Sequence, residues 1–230
     1  MTPRIVVPPA APGGREFASI LALFVGSGAA ALIYQVVWFQ VLSLVIGSST
    51  VSLGVLLGTF MGGMCLGSVL LPRFVPASHH PLRVYGLMEL AIGAIGLLVI
   101  AVVPLVSGLY TAWAGTGAFS MVLRSIVAAI CLLPPTLLMG ATLPAVARWV
   151  ETTPKGVSWL GFFYGGNIAG AVIGALAAGF YLLREYDVMI ATLAAVALNA
   201  IVGAAALAIA RRAPYEQARE GRRAAKAVAA

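Results

Sequence analysis

Charge is what this 230-residue chain has least of: seven acidic and fourteen basic residues, against 61% hydrophobic positions and a mean hydropathy of +1.03. A soluble globule of this length cannot hide that much apolar surface, so the composition excludes a water-soluble enzyme and a disordered chain. It describes an integral membrane protein. Histidine and cysteine are equally scarce, two of each. His79 and His80 adjoin each other with no spaced Cys or carboxylate nearby, so no metal site is expected. Cys65 and Cys131 sit singly in apolar runs, where a thiol packs well and no redox chemistry is implied. Ten-residue stretches of alternating polarity are missing too, which excludes a transmembrane barrel. The net charge of +7 suits nucleic acid in principle, but the basic residues fall singly or in pairs between apolar runs. That pattern belongs to membrane topology, and no nucleic-acid partner is expected.

What is present is a series of six apolar runs, each long enough for a helix to cross a hydrocarbon core of about 30 Å. They cover Phe17–Val45, Val51–Leu71, Val84–Val106, Phe119–Ala147, Trp159–Leu183 and Val188–Ala210. Residues 1–16 are Pro/Gly-rich and too polar to span, and are expected to form a disordered cytoplasmic tail. Residues 17–210 then form the transmembrane domain and 211–230 a basic cytoplasmic tail. With the N-terminus inside, the cytoplasmic side collects Arg4, Arg15, Arg73, Arg83, Arg148, Lys155, Arg211, Arg212, Arg219, Arg222, Arg223 and Lys226. The other side receives Arg124 and Arg184, a positive-inside bias that places both termini in the cytoplasm. The expected fold is therefore an all-α membrane protein, a six-helix bundle in the inner membrane.

An internal repeat refines that expectation. GTFMGGMCLGS in the second run and GFFYGGNIAGA in the fifth align at an offset of 103 residues, sharing Gly58/Gly161, Phe60/Phe163, Gly62/Gly165, Gly63/Gly166 and Gly67/Gly170. The copies lie three spans apart and so cross in opposite directions, the pattern of an inverted repeat of spans 1–3 against spans 4–6. The first and fourth spans do not align convincingly. Small residues let helices approach closely where lipid gives no hydrophobic drive for association. Gly58, Gly62, Gly63 and Gly67, and Gly161, Gly165, Gly166 and Gly170, are thus expected at helix contacts, either as tight packing or as faces that slide.

Within the spans the charged residues are Glu89 and Arg124. Intramembrane ionisable groups are costly enough to be functional candidates by default. Gly86, Glu89, Gly93 and Gly96 share one helical face, so the carboxyl is expected to turn toward other helices, calling for a proton, a cationic partner or a structural tie to a neighbouring span. Arg124 lies near the outer interface, within reach of it by snorkelling. Pro134 and Pro135 are expected to break the fourth span by removing two amide donors, and such breaks often mark binding sites. Asn167 and Asn199 fall toward the midplane, where each amide either lines a ligand cavity or packs between helices.

LIYQVVWFQVLSLVIGSS (Leu32–Ser49), FMGGMCLGS (Phe60–Ser68), HPLRVYGLMELAIG (His80–Gly93) and LLPPTLLMGATLPAVAR (Leu132–Arg148), in that order, resemble the membrane domain of bacterial fused major-facilitator/spermidine-synthase proteins. The resemblance covers approximately residues 18–210 and implies a fold like one half of a major facilitator. It also implies a companion synthase domain of Rossmann type. After Ala210 these residues show neither a Gly-rich strand-turn-helix nor an acidic amine-binding motif, so no enzymatic activity and no cofactor are expected of them. A charged Glu/Arg pair common in the family is replaced here by Gln35 and Gln40. Two functions remain open. One is a transporter-like domain that moves or hands over a polyamine or similar small cation, with Glu89 as the cation or proton site and Asn167, Asn199, Gln35 and Gln40 near the pathway. The other is a non-transporting scaffold or accessory subunit of a larger membrane complex. The expected partners are membrane lipid, a second copy or other membrane subunits, and a cytoplasmic synthase-like protein.

Overall fold

Lipid offers a peptide group no hydrogen-bond partner, so a chain this apolar and without strand alternation has to cross as helices. The computed structural model describes residues 14–46, 49–76, 79–114, 118–150 and 156–212, and among them there is no strand. The helices are α1 (Gly14–Ile46), α2 (Ser49–Phe74), α3 (Pro81–Ala114), α4 (Ala118–Val150), α5 (Gly156–Ala177) and α6 (Val188–Arg212). Between α5 and α6 the chain continues through a π-helical turn, Ala178–Leu182, and one α turn, Leu183–Glu185. Six helical segments are long and apolar enough to cross a membrane.

Most helices outrun their apolar stretches, because a helix carries its own hydrogen bonds into the interface. α3, with 34 residues, is about 51 Å long at 1.5 Å per residue. Gly14–Glu16 and Arg211–Arg212, assigned above to the tails, instead continue α1 and α6. The rest of both tails, residues 1–13 and 213–230, lies outside the described residues. Helix starts follow ordinary capping chemistry. Asp187 Oδ1 accepts the Ile190 amide at 2.8 Å to cap α6, and the His80 carbonyl accepts the Arg83 and Val84 amides just before Pro81 opens α3.

α1 is the most enclosed of the six spans and the fifth is the least. The chief pairings are α1 with α5, α2 with α4, α3 with α6, α3 with α4, and α1 with α6. Two apolar clusters fill the bundle. The one toward the end where α1 begins and α6 finishes, called here the near end, centres on Phe24, Tyr85, Val146 and Phe163. Tyr85, Phe24 and Phe163 stack in sequence across α3, α1 and α5, with ring centroids 5.5 and 5.6 Å apart. The cluster toward the far end centres on Ile33, Tyr34, Trp38 and Leu132. Outside, Met61, Leu66 and Val69 of α2 and Phe162, Val172, Ile173 and Leu176 of α5 are exposed, an apolar surface suited to hydrocarbon.

One expectation fails in the fourth span. Pro134 and Pro135 do not break it: α4 is a continuous helix of 33 residues that also contains Pro144. The prolines leave the Ile130 and Cys131 carbonyls without helical amides, and the Thr136 hydroxyl, 2.9 Å from both the Leu132 and Leu133 carbonyls, bonds the next two carbonyls along the same turn. The irregular turn lies instead in the fifth span, at Ala178–Leu182, where the Leu183 amide donates to the Ala178 carbonyl.

Candidate functional site: a carboxyl sealed between three helices

Glu89 is fully buried where α1, α3 and α6 meet. α3 reaches its neighbours because its glycines leave room for them. A Cβ on Gly86 would stand 2.9 Å from the Gly203 carbonyl oxygen of α6, one on Gly93 would stand 3.4 Å from Asn199 Cβ, and one on Gly96 would stand 2.6 Å from the Tyr34 ring of α1. The face marked by Gly86, Glu89, Gly93 and Gly96 is thus the packed face.

Neutral donors surround the carboxyl. Ser27 Oγ of α1 donates to Oε1 at 2.6 Å, and Asn199 Nδ2 of α6 donates to Oε2 at 3.1 Å. The same Asn199 amide nitrogen lies 3.1 Å from the Glu89 backbone carbonyl. Tyr85, one turn earlier on α3, lies against the carboxyl and donates to the Leu23 carbonyl at 3.3 Å. No ion pair to Glu89 occurs among the described residues; the Arg184–Glu185 pair is exposed. Such a group ties three helices through hydrogen bonds and is able to take up or give off a proton without breaking a salt bridge. One polar atom beside it is unpaired, since Asn199 Oδ1 is buried with no hydrogen-bond partner among the described residues.

The remaining candidates are dispersed. Asn167 Nδ2 donates to the Phe24 carbonyl at 3.2 Å, joining α5 to α1 rather than reaching Glu89. Gln35 is half-buried and Gln40 exposed, and neither is a hydrogen-bond partner of Glu89. Arg124 Nη1 donates to the Val45 carbonyl at 3.0 Å, in the last turn of α1, and Nε is buried. At the near end Arg148 does the same for the residue after α2, donating to the Val75 carbonyl at 2.7 Å. A cation against these carbonyls complements the negative end of each helix dipole.

The repeat glycines divide into two sets. Gly63 meets Thr136, Gly67 the Leu137 carbonyl, Gly166 the Leu21 side chain and Gly170 the Val25 carbonyl, so these four lie at helix contacts. Gly58, Gly62, Gly161 and Gly165 have nothing within 4 Å and lie away from every helix seam described, contrary to expectation. A helix seam occupies one side of a cylinder, and the shared motif contains glycines on more than one side.

Three members of the site were not singled out from the sequence. Ser27 was signalled by its position between Gly26 and Gly28 within an apolar run, and Tyr85 by its place four residues before Glu89. Tyr34 was signalled by its place directly before Gln35, in the segment that carries the family resemblance. A separate cavity of about 340 Å³ at the near end is lined by Phe74, Val75, Val84, Leu87, Met88 and Leu138, among others, and is almost wholly apolar. Comparison of the chain with family models, curated proteins and solved structures finds no match.

Proposed function

We propose that this chain is a transporter-like domain of the bacterial inner membrane, related to spermidine-synthase fusions, in which Glu89 exchanges a proton as a polyamine or similar small cation is moved or handed over. The observation that carries the reading is the Glu89 carboxyl itself, fully buried, held by Ser27 and Asn199, and without a cationic partner among the described residues. A merely structural tie needs no ionisable group, since an amide at this position would bond the same neighbours.

The helix pairings support an inverted 3+3 repeat resembling one half of a major facilitator. Exchanging α1 with α4, α2 with α5 and α3 with α6 turns the α1–α5 pairing into α4–α2, turns α3–α4 into α6–α1, and leaves α3–α6 unchanged. The close glycine contacts follow the same exchange. Gly67 against the Leu137 carbonyl corresponds to Gly170 against the Val25 carbonyl, and Gly140 against Met64 corresponds to Gly28 against Asn167. These contacts favour a register of 112 residues between the first and fourth spans, with Gly28/Gly140 and Ala29/Ala141 matched. In the α3–α6 seam, Gly86 approaches Leu207 as Gly203 approaches Leu90, a reciprocal contact at an offset of 117. Glu89 then corresponds to Ala206, so the scaffold repeats and the charge does not. With Arg73, Arg83, Arg148, Arg211 and Arg212 toward the near end, the positive-inside rule puts both termini in the cytoplasm.

The test is proton-coupled amine uptake into reconstituted vesicles. Glu89→Gln keeps the shape and hydrogen bonding of the site and removes its titration, so it is expected to abolish coupling; unchanged uptake refutes the reading. A second reading, an accessory subunit, is favoured by the open glycine faces, Gly58 with Gly62 on α2 and Gly161 with Gly165 on α5, which suit close approach by another membrane helix. Purification in mild detergent separates the two: self-association supports transport by paired halves, whereas stoichiometric recovery with unrelated subunits, or with a cytoplasmic synthase, supports scaffolding.

A further inference from the structure

Buried polar atoms without a hydrogen-bond partner among the described residues include Asn199 Oδ1, Tyr34 Oη, Trp38 Nε1, Ser43 Oγ, Ser120 Oγ and Arg124 Nε. Native structures seldom leave such atoms unpaired, and a group of them in one region requires a physical account. Five of these, all but Ser43, are ordered by helix level along the bundle. Beyond Glu89 on the packed face of α3 come Gly93, which seats Asn199, and Gly96, whose Cβ would stand 3.0 Å from the Tyr34 hydroxyl. Asn199 and Tyr34 are thereby placed side by side, about one helical turn apart. Trp38 is the next turn of α1, with its ring stacked on Tyr34 at 5.3 Å. Ser43, about five helical turns beyond Val25, lies on the α5-facing side of α1 and stands apart; at the end of α1 Arg124 reaches across to the Val45 carbonyl, and Ser120 stands one turn before Arg124 on the same side of α4.

From these observations we propose that the five atoms other than Ser43 Oγ are partnered by a file of buried water molecules, running between α1 and its neighbours α3, α4 and α6 from Glu89 to the far end of the bundle, and that Glu89 exchanges its proton along it. From the level of Ser27 to that of Val45 the file spans roughly 27 Å of helix rise. The chemistry of the atoms favours water over direct pairing. Asn199 Oδ1 only accepts, Trp38 Nε1 and Arg124 Nε only donate, and the hydroxyls of Tyr34 and Ser120 do both. Water matches each kind, and a buried water needs several polar partners of this sort. The near end differs. There Tyr85, Asn167, Thr142 and Arg148 each donate to a protein carbonyl, at Leu23, Phe24, Met139 and Val75 respectively. Among the described residues these near-end groups are paired with protein, so the proposed route runs toward the end opposite the termini.

The role of the file rests on the reading of Glu89 as the exchanging group, whereas the hydration is measured independently of transport. Radiolytic hydroxyl-radical labelling of the full chain in lipid nanodiscs modifies side chains next to water. Tyr34, Trp38 and Tyr85 are all buried by protein, but only Tyr85 has its polar atom paired with protein. Tyr34 and Trp38 are expected to be modified at least about tenfold faster than Tyr85, with Tyr186, exposed in the connection between the fifth and sixth spans, as the upper reference. Labelling of Tyr34 and Trp38 no faster than that of Tyr85 overturns the file. Tyr34→Phe keeps the ring against Gly96 and removes one hydroxyl from the route, so it is expected to slow proton-coupled uptake at least about tenfold. Wild-type uptake by that variant, with Trp38 still labelled, overturns the file as the route of the proton. If the unaltered chain shows no uptake at all, the transport reading and the file's role as Glu89's proton route fall together, while the labelling still decides the hydration.

Discussion

The seam between α1 and α5 offers a quantitative test of the packing, because two glycines in one short motif stand in opposite environments. A Cβ on Gly170 would overlap the Val25 carbonyl of α1, whereas one on Gly165 would meet nothing within 4 Å. Val25 O is a main-chain atom and cannot rotate aside as a side chain does. Gly170→Ala therefore forces α1 and α5 apart by about an ångström along a parallel seam that also includes Leu21 against Gly166 and Ala29 against Gly174. A gap of that size forfeits roughly a quarter to a half of each dispersion contact, and with the overlap itself the cost is about 3 kcal/mol. Gly165→Ala meets no obstacle and gains up to about 1 kcal/mol of helix propensity. The two variants should thus differ by about 3–4 kcal/mol, on the order of 10 °C in the unfolding midpoint of a chain this long. Far-UV circular dichroism on heating or on titration with denaturing detergent measures the difference. In the α2–α4 seam, Gly67→Ala against the Leu137 carbonyl and open Gly62→Ala form a matching pair and should repeat it. Equal stability of Gly170→Ala and Gly165→Ala would refute the packing argument.

Asn199→Leu removes the donor to Glu89 Oε2 and to the Glu89 carbonyl, and is expected to cost about 2–3 kcal/mol in the same unfolding assay. Glu89→Gln, whose amide and carbonyl match Ser27 and Asn199, should stay within about 1 kcal/mol of the parent. Thr136→Val takes away the hydroxyl beside Pro134 and Pro135 and should cost about 1 kcal/mol, with loss of helical ellipticity ahead of global unfolding. Arg124→Met frees the Val45 carbonyl and should lower stability by about 1 kcal/mol while speeding amide exchange in the last turn of α1.

The number of crossings and the placement of Glu89 on an inward face were legible because both follow from local periodicity: about 20 apolar residues make a span, and Gly86, Gly93 and Gly96 mark the side of α3 on which the carboxyl lies. Proline chemistry was legible only in part. The lost amides at Pro134 and Pro135 were evident, but the effect of Thr136, whose hydroxyl also lies 3.5 Å from the Thr59 carbonyl of α2, depends on rotamer and on the neighbouring helix. The aligned glycine motifs told that two helices are alike without telling which glycines meet a partner. Gly63 and Gly67 do, and Gly58 and Gly62 do not, because the seam is chosen by where α4 crosses α2.

By itself the sequence determined that this protein enters a membrane as six helices with a single acidic group among its apolar spans, since hydropathy and helix formation are properties of one segment in its solvent. Only the tertiary structure decided that Ser27, Tyr85 and Asn199 converge on Glu89, that Asn167 serves the α1–α5 seam instead, and that Asn199 Oδ1, Tyr34 Oη and Trp38 Nε1 are buried without a hydrogen-bond partner among the described residues. Those relations join residues 62 and 110 positions apart in the chain, and they depend on helix rotation and crossing, which side-chain periodicity leaves free.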